Sequence, residues 1–164
     1  MGWQDKVAAQ NADRAGGARM QYGALCWRES GTGSGIEVLL ITSRDTGRWI
    51  IPKGWPMPGL SPEAAAAQEA WEEAGVEGVV NPLCVGRYGY QKCLTPEAQV
   101  PCAVAVYGLQ VMNLADSFPE ASQRRRQWFP TGTAATLVNE PDLARLIGAF
   151  VPPPSGRLAP IAGE

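Results

Sequence analysis

The 164-residue sequence contains no histidine, and this absence excludes several kinds of catalytic site. Without an imidazole there is no Ser-His-Asp or Cys-His arrangement and no zinc site with a histidine ligand. The four cysteines form no Cys-x-x-Cys pair, which argues against a zinc site made of cysteines alone. Acid–base chemistry must therefore come from carboxylates, lysine, tyrosine, cysteine or metal-bound water.

The sequence also lacks an excess of charge and any long apolar run. Its formal net charge is −2, so nucleic acid and acidic membranes are not favoured partners, and a polyanionic ligand must be held by local basic residues. No apolar run is long enough to span a membrane, and the N-terminus has no apolar secretion segment. We therefore expect a cytoplasmic protein with reduced cysteines, while its oligomeric state is left open.

The chain is predicted to fold as one domain with two appendages. Residues 1–18 are polar and rich in Ala and Gly and are interpreted as an N-terminal arm, whereas residues 152–164 form a tail rich in Pro and Gly. The domain between them, residues 19–151, alternates apolar strand patterns with helix patterns. Strands are predicted at 20–28, 36–43, 49–51, 79–90 and 100–111, and short C-terminal helices at 133–138 and 141–150. This order predicts an α/β fold with a mixed sheet between helices.

A helix ending at Gly75 carries the most informative side chains. Ser61 followed by Pro62 predicts its start, and Gly75 is a typical C-terminal cap.

Three carboxylates, Glu69, Glu72 and Glu73, follow at spacings that share one helix face, roughly opposite an apolar stripe. No Lys or Arg lies within the helix to neutralise them, so a hard divalent cation is the expected partner. The alternative is a surface helix with a solvated acidic face.

This segment resembles a known family motif. Gly54, followed by the run Glu69-Ala70-Trp71-Glu72-Glu73-Ala74-Gly75-Val76, is similar to the Nudix box, G-x5-E-x7-R-E-U-x-E-E-x-G-U, where U is aliphatic. Residues 49–56 and 125–129 resemble the diphosphoinositol-polyphosphate and dinucleoside-polyphosphate branch of the Nudix hydrolases. The resemblance spans roughly residues 19–150 and implies a Nudix α/β/α sandwich.

Two positions depart from the motif. Leu60 stands where the pattern has its first Glu, and Gln68 stands where it has Arg. In the family these two residues mainly brace the loop and the helix, and they often pair with each other. Because both charges are lost together, neither is left without its partner.

The resemblance implies hydrolysis of a phosphoanhydride with Mg²⁺ or Mn²⁺ as cofactor. The expected metal ligands are Glu72 and Glu73, the carbonyl of Gly54, and Glu69, which is either a third ligand or the base that activates water. The expected small-molecule substrates are dinucleoside polyphosphates or diphosphoinositol polyphosphates. The alternatives are a pyrophosphatase acting on nucleotide sugars or capped RNA, and a polyphosphate-binding module with little turnover.

Several basic and aromatic residues are candidates for substrate binding. Lys92 is a weaker basic candidate. Glu120 is a candidate for an acidic residue, late in the chain, that assists the metal or the attacking water. Trp55 and Tyr90 are expected either to stack on a nucleobase or to pack internally. The run 124–126 is alternatively a nucleic-acid patch, which the net negative charge disfavours. The residues expected to contact phosphate are Arg19, Ser43, Arg44, Lys53 and Arg125.

Overall fold

The computed structural model describes residues 14–15, 17–33 and 35–153. Most of the predicted N-terminal arm and most of the C-terminal tail lie outside these residues. The described strands are β1 Arg14–Ala15, β2 Ala18–Glu29, β3 Ile36–Thr42, β4 Trp49–Ile50, β5 Lys53–Gly54, β6 Val76–Thr95, β7 Ala98–Leu114 and β8 Arg126–Pro130. The described helices are α1 Pro62–Ala74, α2 Thr131–Leu137 and α3 Pro141–Gly148.

The strands form one mixed sheet with the order β4-β3-β2-β7-β6. Strands β2 and β7 run parallel, while β3 and β6 pair antiparallel with β2 and β7, respectively. Three short strands attach beside this path: β1 and β5 pair with β2, and β8 pairs with β3. The β2–β5 pairing places Gly54 opposite Tyr22, so the loop that precedes α1 is fixed to the centre of the sheet.

Successive residues along each strand point to opposite faces of the sheet, so both faces are apolar. Helices cover both of these faces and form two apolar cores. One core packs the buried alanines of α1 against side chains such as Met20, Cys26 and Ile41. The other packs α2 and α3 against side chains such as Leu25, Val38 and Val106. None of the helices in the described part of the chain has the length and apolarity needed to cross a bilayer.

The strands on either side of the β6–β7 turn are longer than the sequence predicted. The predicted strand 79–90 extends to Val76–Thr95, and the predicted strand 100–111 extends to Ala98–Leu114. The polar and glycine residues that hid the extensions of β6 coincide with irregularities in strand pairing, between Glu77 and Gly78 and between Cys93 and Thr95. Such bulges break the two-residue alternation from which strands are recognised.

The boundaries of α1 agree with the predicted caps. Ser61 occupies the N-cap position in an extended conformation, although its side chain makes no capping hydrogen bond. Gly75 adopts a left-handed φ of 67°, and its N–H reaches the carbonyl oxygens of Ala70 and Trp71. A side chain at Gly75 would also crowd Phe118 and Arg126, so only glycine suits this position.

Candidate functional site

The acidic face of α1 is turned into the protein. Glu69 and Glu73 are only 6% and 7% exposed. The Glu69 carboxylate lies so close to Gly54 that a Cβ on that glycine would overlap it. Glu73 Oε1 accepts a hydrogen bond of 3.3 Å from the Lys53 backbone N–H. The solvated acidic face considered from the sequence is therefore wrong for these two residues, since both close against β5.

Burial controls the electrostatics of Glu73. Desolvation raises the pKa of its carboxyl group, while Arg124, Lys53 and a hydrogen bond with Glu69 oppose that rise. The two carboxyl groups therefore lie in hydrogen-bond contact at the base of the site. A buried pair of this kind requires positive charge close by.

Arg124 supplies that charge, and sequence reasoning missed this role. Its side chain is 7% exposed, and Nη2 lies 3.7 Å from Glu73 Oε2. Its Nε donates to Glu120 Oε1 at 2.8 Å, and Nη1 donates to the Thr42 carbonyl at 3.1 Å. In the sequence, Arg124 is one of three consecutive arginines at 124–126, and the run alone does not show which of the three is buried.

The three arginines of that run point to different partners. Arg126 donates to the Ala74 carbonyl at 2.6 Å, at the C-terminal end of α1 where a cation is favoured. The guanidinium of Arg125 lies 5.7 Å from the centre of the Trp49 ring. With Arg124 engaged by carboxylates, the run does not form one continuous basic patch.

Glu72 has a neutral partner. Gln68 Nε2 donates to Glu72 Oε2 at 2.9 Å, and the Glu72 backbone carbonyl accepts from the N–H of Glu120. Leu60, the other departure from the motif, is 44% exposed. The substitution at position 68 therefore acts directly on one of the three carboxylates, rather than on the loop alone.

The donor chemistry of this face fits a hard divalent cation, because it consists of carboxylate and carbonyl oxygens only. However, among residues 14–15, 17–33 and 35–153 no three acidic or cysteine side chains are gathered closely enough to enclose a metal ion. Glu72 is bound to Gln68, and Glu73 to Arg124. A cation held by these carboxylates would therefore share them with Gln68 and Arg124 or displace those partners.

Three of the expected phosphate contacts lie together at the end of β3. Arg125 is fixed there because its N–H donates to Thr42 Oγ1 at 2.8 Å. Ser43 Oγ accepts from the N–H of Arg48, and Arg44 Nη1 lies 3.9 Å from Glu120 Oε1. Ser43, Arg44, Arg124 and Arg125 line a cavity of about 350 Å³. One basic recess therefore adjoins the acidic pair through Arg124.

The remaining expected contacts, Lys53 and Arg19, do not line this recess. The ammonium of Lys53 lies 4.9 Å from the centre of the Tyr90 ring, and that of Lys92 lies 5.8 Å from the Trp55 ring. Desolvation lowers the pKa of Lys53 to about 8.

Arg19 completes this second group. It is paired across β2 and β7 with Cys102. Burial raises the pKa of the Cys102 thiol, and Lys92, Arg19 and Lys53 oppose that rise.

Comparison with known proteins identifies relatives in sequence. The family model described as the NUDIX domain matches residues 19–148. Nudix hydrolase 16, mitochondrial, of Arabidopsis thaliana is 30% identical over 138 residues, covering 76% of this chain and 75% of that protein. Diphosphoinositol polyphosphate phosphohydrolase 3-alpha of Homo sapiens is 33% identical over 125 residues, covering 74% of this chain and 70% of that protein.

Solved structures share the architecture at lower identity. A C. elegans Ap4A hydrolase binary complex has a TM-score of 0.58 at 20% identity, covering 79% of this chain and 92% of that chain. The E. coli dihydroneopterin triphosphate pyrophosphohydrolase has a TM-score of 0.62 at 16% identity, covering 80% of this chain and 94% of that chain. These likenesses confirm the predicted α/β fold.

Proposed function

The chain belongs to the Nudix family of hydrolases, and from that premise we propose that it hydrolyses a phosphoanhydride bond in a small polyphosphate substrate. The preferred candidates are dinucleoside polyphosphates and diphosphoinositol polyphosphates. A human relative is named for the second class, and a structural neighbour is named as an Ap4A hydrolase. The four cysteines are free thiols, which supports action in a reducing compartment such as the cytoplasm.

The observation that carries this proposal is the closure of the acidic face of α1 onto β5. Gly54 leaves room for the Glu69 carboxylate, and the Lys53 N–H holds Glu73 beside it. The basic recess of Ser43, Arg44, Arg124 and Arg125 adjoins this pair. Carboxylates for a cation and arginines for phosphate therefore lie side by side, as cleavage of a charged anhydride requires.

We assign Glu69, Glu72, Glu73 and the Gly54 carbonyl to a divalent cation, Mg²⁺ or Mn²⁺. When bound, such an ion neutralises phosphate charge and lowers the pKa of water. Glu69 then serves as a third ligand or as the group that accepts the proton of the attacking water. Arg44 and Arg125 orient the phosphate chain from the recess, while Arg124 holds Glu73 and Glu120 in place.

The direct test measures metal-dependent hydrolysis in Glu72→Gln and Glu73→Gln variants. Purified protein is screened with Mg²⁺ against dinucleoside polyphosphates, inositol pyrophosphates, nucleotide sugars and nucleoside triphosphates. We expect each variant to lose at least about a hundredfold in kcat on the best substrate, since each removes a carboxylate that holds the cation whose charge stabilises the transition state. Glu77→Gln, an exposed change beyond the end of α1, is the matched control. Activity within a few-fold of wild type in both site variants contradicts the mechanism.

A polyphosphate-binding module with little turnover is the second candidate, and the Gln68–Glu72 hydrogen bond favours it. The amide engages one carboxylate without supplying the charge that the family motif has at this position. The test restores both departures in one protein, Leu60→Glu with Gln68→Arg. A binding module is indicated if wild type binds polyphosphate in calorimetry without product, and if the restored double variant then gains turnover.

A further inference from the structure

A large apolar cavity lies on the face of the sheet opposite α1. Its volume is about 1010 Å³, at the upper end of the range of about 300–1,000 Å³ for small-molecule pockets. Trp27, which lines the cavity, belongs to the core that packs α2 and α3, whereas the buried alanines of α1 belong to the other core. The sheet therefore separates this cavity from α1 and its carboxylates.

The wall of the cavity exposes a group of large aliphatic side chains. Val79 and Leu83 on β6 and Val151 after α3 all line it, and each is more than half exposed. Deeper in the cavity, the Phe150 ring lies 6.2 Å from the buried Trp27 ring. Single exposed apolar residues are ordinary on a protein surface, but several gathered around one concave site mark a place where a ligand or partner binds.

The charge around this cavity is unbalanced. Its charged lining residues are Arg87, Arg145 and Asp142, which gives a local charge of +1 in a chain of net charge −2. Arg145 is paired with Asp142 on α3. Arg87 is exposed on β6 and has no carboxylate within ion-pair distance in the described part of the chain. The apolar cavity therefore has one unpaired cation at its wall, which favours an occupant with a single negative charge.

The outer edge of β6 is poorly suited to pairing with another strand. Among the described strands, β6 is the last in the sheet order, so its outer edge lies open. However, the pairing of β6 with β7 is irregular between Val80 and Cys84 and again between Cys84 and Gly86. Pro82, which has no N–H to donate, lies in the same segment. The occupant is therefore held by the side chains of the cavity and not by main-chain pairing.

We propose that this cavity binds a small amphiphile with one unbranched apolar chain and a carboxylate head, the chemistry of a medium-chain fatty acid. The chain packs against Trp27, Leu83 and Phe150, which line the apolar part of the cavity. The carboxylate pairs with Arg87, whose planar guanidinium matches both of its oxygens. The site lies apart from the acidic face of α1, and its occupancy does not depend on hydrolysis.

The first test uses calorimetry of the full-length protein with dodecanoate at concentrations where it is monomeric. We expect saturable binding of one molecule per chain. Leu83→Asp places a negative charge on the cavity wall and should weaken this affinity at least about tenfold, and the fold should tolerate it because Leu83 is exposed. Leu94→Asp, the same change at an exposed leucine of β6 outside the cavity, is the matched control and stays within about twofold. Binding that does not saturate, or equal losses in the two variants, overturns the proposal.

The second test examines the role of charge. Arg87→Gln should weaken dodecanoate binding by about tenfold, the usual effect of losing one charged hydrogen bond, while Arg87→Lys retains most of the affinity. Lys92→Gln, which removes a positive charge from the same strand outside the cavity, is the matched control and stays within about twofold. Dodecyltrimethylammonium has the same chain with the opposite charge and should bind wild type at least about tenfold more weakly. Equal affinities for the two amphiphiles overturn the proposal.

Two other occupants give different results in the same measurements. Pro153 lines the cavity and is followed directly by residues 154–164, which include Leu158 and Ile161. If that segment fills the cavity, wild type binds no dodecanoate, whereas the full-length double variant Leu158→Asp with Ile161→Asp does. If a second copy fills it, sedimentation shows a dimer that excludes dodecanoate and dissociates in Leu83→Asp. Either result overturns the proposal, and dodecanoate binding to a wild-type monomer supports it.

Discussion

Replacing Arg124 by methionine should destabilise the protein in a way that depends on pH. The side chain is buried and serves Glu73, Glu120 and the Thr42 carbonyl. Methionine keeps most of the apolar volume but leaves Glu73 in a desolvated setting without its main counter-charge. Breaking a buried ion pair from one side costs about 3–5 kcal/mol, and we expect about 3 kcal/mol at pH 8 because the Glu73 contact is long.

The sign of the pH dependence follows from the pKa of Glu73. Burial already raises that pKa, and Arg124 is the largest influence opposing the rise. Without Arg124 the folded-state pKa rises further above that of the unfolded chain. Protonated Glu73 is then favoured in the folded variant. The stability that this protonated group contributes is fully present below the pKa of Glu73 in the unfolded chain, and it is lost as pH rises through the pKa in the folded state. The variant should therefore lie closest to wild type near pH 5 and furthest from it near pH 8.

Urea unfolding in the presence of a chelator measures this free energy at each pH. Arg44→Met is the matched control, since Arg44 is exposed and lies 3.9 Å from the same Glu120, and such surface pairs contribute about 0–1 kcal/mol. Adding Glu73→Gln to Arg124→Met should recover much of the loss and flatten the pH profile, because the unpaired charge is gone. A loss below about 1 kcal/mol with no pH trend would show that Arg124 does not neutralise Glu73.

Three further predictions concern glycines and cysteines. Gly54→Ala forces a methyl group into the Glu69 carboxylate, so we expect about 1–3 kcal/mol of destabilisation in urea and a loss of hydrolysis, whereas Gly132→Ala, with open space around it, should be mild. Gly75→Ala places alanine at a left-handed φ and against Phe118, and should lower the thermal midpoint by several degrees. A chromogenic disulfide reagent at pH 8 should detect two fast-reacting thiols, because Cys84 and Cys93 are exposed. Cys26 and Cys102 are both buried, and burial also raises the pKa of Cys26 to about 12. Rapid reaction of three or more thiols would refute this prediction.

Features encoded locally could be predicted from the sequence. Pro62 and Gly75 fix the ends of α1 by backbone geometry alone, and the apolar runs fix the strands. The orientation of the acidic face could not be predicted, because helical spacing says which carboxylates share a face but not what lies opposite. That depends on β5 pairing with β2, a contact between distant parts of the chain. Arg124 was missed for the same reason, because two of its partners are distant in sequence: Glu73 lies 51 positions away and Thr42 lies 82 positions away.

The three carboxylates of α1 differ in how their charge is balanced, and this difference bears on the order in which they would meet a cation. Glu73 is opposed by the guanidinium of Arg124, whereas the side chain that Glu72 contacts, among the described residues, is the neutral amide of Gln68. Glu72 would hold an ion without an opposing charge beside it, while Glu73 would hold one in competition with an arginine. Glu72 is therefore the carboxylate that engages a cation first in our assignment. Gln68→Arg adds an opposing charge beside Glu72, so on electrostatics alone it should weaken Mg²⁺ affinity by about 0.3–1 kcal/mol in calorimetry, and unchanged affinity would remove this distinction between the two glutamates.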